Sequence, residues 1–356
     1  MATFSIQFGF CLPIFACPGG GLFRTPNYET LDAATTLQLG VEADALGFDS
    51  IWVADHLMLG KDEAIFEGWT TLSALAGATR RAKLGIIHQA HFFRHPAVAA
   101  KMIATLDQLS GGRFIYFADT GTRASEHHAY GLHYPDAMED RMPELLEALD
   151  LQLALWQTTP ERPLTFDGRF YHVRDAVCTP PPKTQPHPPI WFGEAHPLTF
   201  SACARHGQGW NSVPVPMDEL RRRLDALESA CRATGRAYAD IEKTLETQIL
   251  IAPDRAAVRD LLRRMLALSI PNHISPVIPK PTDADLAAFV NGQSEVYPHY
   301  LTDSWLVGTP DEVAAQLQTY VDMGFTHFML WFMDAPRQDG MRLFSQQVAP
   351  TLRQGR

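Results

Sequence analysis

Asp55 and His56 stand directly after a short apolar run, Asp49–Ala54 (DSIWVA). A charged residue and an imidazole beside such a run need partners, because a buried unpaired charge is costly. Imidazole titrates near neutrality, so His56 is a candidate proton donor or base. The bland reading is that Asp55 caps the next helix and His56 bonds to backbone. A second cluster, IIHQAHFFRHP (86–96), holds three histidines and Arg94. His88 is the other candidate acid or base. In a strand, residues three apart face opposite sides, so His88 and His91 would not share a metal. No His-Glu-x-x-His or carboxylate-rich set is present, and no metal is expected. Arg94-His95-Pro96 starts a helix and reads equally as structure or site. Further along, Glu246 and Gln248 alternate with Thr247 and Ile249, so both lie on one strand face. If that face is interior, they either orient a substrate or form a hydrogen-bonded core layer. Trp331 and Met333 read as core.

These residues fall at the ends of regularly spaced elements. Apolar runs at Phe4–Phe10, Asp49–Ala54, Lys83–Gln89, Arg113–Ala118, Ile190–Gly193, Gly209–Val213, Lys243–Ile251 and Thr326–Phe332 read as eight strands. Helical spacing fills the intervals. Asn27 is a candidate cap for the first helix, whose apolar positions Leu31 to Ala45 recur until Gly47. Leu145, Leu149, Leu153 and Trp156 share a face of a long helix, Met138–Trp156. Thr309, Pro310, Glu312 and Gly324 carry the start and stop signals of another. Met341–Leu352 reads as a closing helix.

Eight strand–helix units without a Gly-x-Gly-x-x-Gly turn favour a closed (β/α)8 TIM barrel over an open dinucleotide-binding sheet. Residues 1–356 read as one domain with insertions at 119–137, 158–188 and 252–308. The first and third follow strands and belong at the C-terminal mouth, where barrel chemistry sits. The second follows a helix and is expected at the opposite end. It contains TFDGRFYHV, a hairpin signal with Asp167-Gly168 at the turn. The Gly111-Gly112 turn precedes a strand, so it is excluded from the site.

Composition narrows the classes. The chain is 46% hydrophobic and 20% charged, which suits a globular protein rather than a disordered one. A net charge of -10 argues against nucleic acid as a partner. No apolar run reaches the ~20 residues that a membrane span needs. Five cysteines, an odd number, and an N-terminus without a basic secretory signal point to the cytoplasm.

Several segments together resemble the bacterial luciferase-like family of flavin- and deazaflavin-dependent oxidoreductases. They are GFDSIWVADH (47–56), RHPAVAAKMIATLDQLSGGR (94–113), TFDGRFYHV (165–173), PHPPIWFGEA (186–195), HGQGWNS (206–212) and VGTPDEVAAQL (307–317). The resemblance implies a (β/α)8 barrel with an insertion near the seventh strand. It places Asp55 and His56 beside the cofactor ring. It implies a non-prolyl cis peptide near Ile86, Ile87 and His88, forming a bulge behind the ring. The fourth strand of similar proteins ends in a small, glycine-rich stretch near the cofactor. Asp119 and Thr120 depart from that here. Asp119 would hydrogen-bond the cofactor chain, act as an acid, or tie down the loop holding Glu126, His127, His128 and His133. His127 and His128 are adjacent and point differently, so at most one belongs to the site.

By the same resemblance, Gly193, Glu194 and Ala195 form the turn that takes the cofactor phosphate at a helix N-terminus. A carboxylate does not belong against a phosphate, so Glu194 points away or the phosphate sits elsewhere. The first functional expectation is a two-component monooxygenase that uses reduced FMN and O2 on a small organic substrate. A separate NAD(P)H:flavin reductase would supply the FMN. The alternative is a dehydrogenase or reductase that uses the deazaflavin coenzyme F420 and transfers a hydride. A further alternative is a non-catalytic flavin-binding protein. A homodimer is expected by resemblance.

Overall fold

The computed structural model describes residues 4–18, 24–268 and 284–354. Short runs that are apolar on both faces suit a parallel sheet covered by helices. They form β1 (Gln7–Cys11), β2 (Ser50–Ala54) and β3 (Lys83–Ile87), separated by α1 (Ala33–Ala45) and α2 (Gly68–Ala78). A two-residue strand, β4 (Gln89–Ala90), precedes α3 (Pro96–Ser110) and β5 (Phe114–Asp119). Then come α4 (Ala124–Ala129), α5 (Met138–Leu155) and the hairpin β6 (Leu164–Asp167) and β7 (His172–Ala176). The alternation resumes with β8 (Ile190–Phe192), α6 (Pro197–His206), β9 (Gly209–Ser212), α7 (Met217–Thr234) and β10 (Glu242–Ile251). After α8 (Arg255–Ala267), α9 (Ala284–Val290), α10 (His299–Thr302) and β11 (Trp305–Gly308), the chain ends with α11 (Pro310–Asp322), β12 (Phe325–Phe332), α12 (Asp339–Leu343) and α13 (Ala349–Gln354).

The strands run β12-β1-β2-β3-β5-β8-β9 side by side, and β10 closes the ring by pairing with both β9 and β12. The expected TIM barrel is therefore the observed fold. Side chains fill its interior. The Trp52 and Trp191 rings lie 5.0 Å apart, tilted by 31°, and His327 lies edge-on 5.0 Å from Trp191. Gly85 makes room for them, since a Cβ there would sit 2.1 Å from the Trp52 ring. Ser50 Oγ accepts from Trp52 Nε1 at 2.7 Å and meets His327 Nε2 at 2.7 Å. Ser50 Oγ thereby joins the Trp52 and His327 rings, and His327 Nδ1 faces Glu242 Oε1 at 3.7 Å without a hydrogen bond.

Capping follows local chemistry. Thr309 and Glu312 form the expected capping box, with Pro310 in the first turn. The cap of α1 is Asp32, which accepts from Thr35 N, and not Asn27. Asn27 instead donates to Met333 O at 2.7 Å. The first strand begins at Gln7 rather than Phe4, where pairing with His327 starts. The expected closing helix is broken by a wider turn at Phe344–Val348.

Two insertions differ from expectation. The hairpin after α5 closes through residues 168–171, with Asp167 paired to His172. Its turn does not stay at the far end of the barrel. Tyr171 reaches His91 and Glu144, which belong to the mouth-side ends of the segment before α3 and of α5. The 252–308 insertion contains a strand absent from the sequence reading. β11 pairs with Gln248–Ile251 of β10, above the stretch of β10 that pairs with β9. Leu250, Val258, Leu262, Met265, Leu286, Phe289, Leu301 and Val307 build a small second core around it. Among the described residues, no helix is long and apolar enough to cross a membrane.

Candidate active site

Parallel register decides which side chains enter the barrel. Val53 pairs with Ile86 and Ala54 with Ile87. Trp52 is interior, so Ala54 and Ile87 share its side and Ile86 faces the helices. Ile86 is thus removed as a side-chain contact. The regular strand stops at Ile87, and the Ile87–His88 peptide is cis. His88 also lies inward, against the Phe117 ring at 4.4 Å.

His88 sits between two buried carboxylates. Its Nε2 is 3.3 Å from Glu246 Oε2, and its Nδ1 is 3.7 Å from Asp119 Oδ2. The first distance is an ion-pair contact without hydrogen-bond alignment, so His88 Nε2 and Glu246 Oε2 both keep unused capacity. Glu246 Oε1 accepts from Trp331 Nε1 at 2.7 Å and lies 3.1 Å from Arg24 Nη2. Burial would raise the Glu246 pKa, but Arg24, His88 and Trp331 bring it down to about 2. Burial also opposes charge on His88, and the flanking Glu246 and Asp119 outweigh it, so its pKa is raised.

The linkage has opposite signs for the two partners. Glu246 stabilises the fold fully above its ordinary 4.5, and that contribution is lost as pH falls toward about 2. The difference corresponds to about 3 kcal/mol at 1.36 kcal/mol per unit. His88 contributes fully below its ordinary 6.5 and loses that contribution as pH rises through its raised folded value. The pair is therefore worth most between these two ordinary values. NMR titration of His88 is expected to give a value above 6.5 that falls in Glu246→Gln. An unchanged titration in that variant would show that Glu246 does not set it.

The end of β5 serves two purposes. Asp119 Oδ1 accepts from Gly121 N at 2.6 Å, which ties the following loop, while Oδ2 faces His88. Thr120 is buried, with its hydroxyl 3.8 Å from Met138 Sδ. Glu194 has φ 68, an uncommon value for a non-glycine residue, and its carbonyl accepts from Trp210 Nε1. Burial and the Asp119 charge raise the Glu194 carboxyl to about 7, and burial raises Asp119 as well. Ala195 is exposed beside them, ahead of α6.

The Asp55-His56 pair separates. Asp55 is not turned toward the mouth. Its oxygens take a bidentate pair of hydrogen bonds from Arg94, both 2.7 Å, and Oδ2 also accepts from Ala90 N at 2.9 Å. His56 Nδ1 lies 2.7 Å from Glu126 Oε1. Glu126 Oε2 accepts from Leu57 N and Met58 N at 2.8 and 3.1 Å. Burial would raise the Glu126 pKa, but His56 and these donors lower it. An ionised Glu126 can only accept, so Nδ1 carries the hydrogen, and in the neutral form of the ring Nε2 keeps its lone pair. Neither Glu126, named in the sequence only as part of a loop, nor Arg24 was assigned a role in the site by the sequence. The partner of Glu126 is 70 positions away, and no local pattern signals that.

The other histidines divide clearly. His127 is stacked between Phe93 and Tyr134, and His128 is exposed. His95 caps α3 through Ala97 N, and His91 meets Tyr171. Of the two β10 residues, Glu246 joins the His88 cluster. Gln248 follows on the same strand face, half-buried and nearer the mouth.

An imidazole backed by a carboxylate and a buried ion pair at the strand ends place ionisable groups where a barrel of this kind carries its chemistry. The chain belongs to the luciferase-like monooxygenase family, whose model matches residues 8–327. It is a luciferase-like oxidoreductase with a flavin-type cofactor. An F420-dependent glucose-6-phosphate dehydrogenase of Kineococcus radiotolerans is 31% identical over 322 residues, covering 88% of this chain and 91% of the relative. An F420-dependent secondary alcohol dehydrogenase, solved with an F420-acetone adduct, superimposes with a TM-score of 0.74 at 20% identity, over 98% of this chain and 99% of that one. The monooxygenase RslO1 from Streptomyces bottropensis gives 0.71 at 22% identity, over 97% and 99%. At such identities the two structures establish the fold alone.

Proposed function

We propose that this enzyme uses the deazaflavin coenzyme F420 and moves a hydride between it and a hydroxyl-bearing carbon of a small substrate. The observation that carries this reading is the 31% identity to an F420-dependent dehydrogenase across nearly the whole chain. Another such dehydrogenase, from Beutenbergia cavernae, is 30% identical over 322 residues. The two-component FMN monooxygenase expected first from the sequence has less support.

The mouth suits the ring end of such a cofactor. His88 Nε2 and Glu246 Oε2 are buried without an aligned hydrogen bond, which leaves them able to bind a polar ring edge. Gly193 brings bare backbone close, since a Cβ there would meet the Phe117 ring at 3.0 Å. A Glu194 carboxyl near pKa 7 can be protonated, which removes the conflict with a nearby phosphate. We assign His88, Ile87, Asp119 and the Gly193–Ala195 backbone to holding the cofactor. Thr120, packed against α5, supports that wall.

When bound, the coenzyme supplies the hydride acceptor. The chain supplies the base. His56 Nε2 takes the substrate hydroxyl proton, and Glu126 steadies the resulting charge. Gln248, nearer the mouth than Glu246, is assigned to substrate. On this reading neither O2 nor a flavin reductase is needed, and the assembly we propose is a homodimer. The test is anaerobic titration with oxidised F420 and, separately, reduced FMN. Glucose 6-phosphate and a series of secondary alcohols then serve as substrates. Selective F420 binding with substrate-dependent bleaching of the coenzyme is expected. Selective binding of reduced FMN, with O2-dependent oxygenation of a product, would overturn the reading.

A further inference from the structure

The 158–188 insertion ends in a clamp on the outside of the mouth. Glu147 of α5 receives three backbone N–H groups of the hairpin turn, from Arg169, Phe170 and Tyr171, at 2.8, 2.7 and 2.8 Å. A Cβ at Gly168 would lie 2.2 Å from that carboxylate, so the missing side chain lets the turn seat on α5. This places the Tyr171 hydroxyl between Glu144 Oε1 at 2.8 Å and His91 Nε2 at 2.7 Å.

The hydrogens in this triad can be assigned. Glu144 accepts from the tyrosine O–H, so the phenolic oxygen must accept from His91. His91 therefore carries its hydrogen on Nε2. Burial, and then His95, hold the His91 pKa down to about 3, so it stays neutral. A neutral buried imidazole with one fixed donor serves structure rather than proton transfer.

His91 lies three residues after His88, directly after β4, whose Gln89 and Ala90 pair with Ala118 and Asp119. Glu144 extends the same clamp to the loop after β5. Its Oε2 is 3.5 Å from His133 Nε2. Phe92 packs edge-on against His133 and Tyr134, and Tyr134 donates to Gly121 O at 2.6 Å. One hydroxyl thus touches the His88 segment at His91 and reaches the loop after Asp119 through Glu144 and His133.

We propose that Tyr171 is a positioning residue for the active site, holding the His88 bulge and the Asp119 loop in register through His91 and Glu144. Tyr171 itself lies outside the barrel mouth. Its effect on turnover rests on the hydride-transfer reading, but its effect on His88 does not.

The experiment compares full-length Tyr171→Phe with the wild type by NMR titration of His88 and by steady-state kinetics with F420. A loosened bulge moves His88 away from Glu246 and Asp119, so its titration falls toward 6.5. Misplacement of about 1 Å lowers kcat by up to ~100-fold. Glu144→Leu reaches the clamp from the helix side and is expected to act alike. Glu144→Gln keeps an acceptor and is expected to restore both readouts. Folded Tyr171→Phe and Glu144→Leu proteins with unchanged His88 titration would overturn the positioning. A shifted titration in an enzyme that shows no F420 turnover even as wild type would support the clamp and sink the hydride-transfer reading.

Discussion

Replacing His56 with alanine is expected to lower kcat by about 10²–10⁴-fold, the usual worth of a positioned acid or base. Cofactor binding is expected to change little, because the ring is assigned to His88 and the β8 turn. The argument rests on tautomer control. Glu126 is fixed by Leu57 N and Met58 N on one oxygen, so its other oxygen is aimed at His56 Nδ1. Nε2 is left to the mouth, and the half-buried His56 remains reachable there. Glu126→Gln tests the same point from the partner's side. A glutamine can offer its amide N–H to Nδ1 and so favour the wrong tautomer, which predicts a lowered kcat with binding intact. Single-turnover rates and cofactor titrations separate the two quantities. A His56→Ala enzyme with near-normal kcat would remove His56 as the base.

Replacing Arg94 with alanine is expected to cost about 3–5 kcal/mol of stability, read from denaturant melts. Asp55 is almost wholly buried, its side chain 1% exposed, and Arg94 supplies both of its ionic hydrogen bonds. Removing the guanidinium leaves a carboxylate in the protein interior with, among the described residues, only Ala90 N to meet it. Arg94 also contacts Glu67 at 3.0 Å and lies over the Trp69 ring, so its stem contributes packing. The double variant Asp55→Asn, Arg94→Ala removes both charges and is expected to recover part of the loss. If the two single losses add without recovery, the pair is not coupled and the stability argument fails. Because Asp55 also holds Ala90 N, the double variant should still perturb the His88 segment.

Much of the fold was legible because strand and helix periods are local. The eight barrel strands, the capping box at Thr309 and the hairpin near Asp167 follow from spacing and turn chemistry within a few residues. β11 was not legible. A four-residue strand of a long insertion has too little periodicity to stand out, and it is a strand only because β10 extends beyond β9 to receive it. The hairpin's position was misread because a connection that leaves a helix at one end of a barrel can be long enough to fold back to the other.

The candidate site divides along the same line. Residue type and strand position picked out His56, His88 and Glu246, since ionisable groups on or beside apolar strands need a reason to be there, and the family resemblance picked out Asp119. The pairing of Asp55 with Arg94, of His56 with Glu126 and of Glu246 with Arg24 joins residues 39, 70 and 222 positions apart. Those choices belong to the closed barrel. The sequence by itself determined the alternation, the barrel class and the family. The tertiary structure alone decided which carboxylate meets which cation, because a charge selects its partner by distance in space and not by separation along the chain.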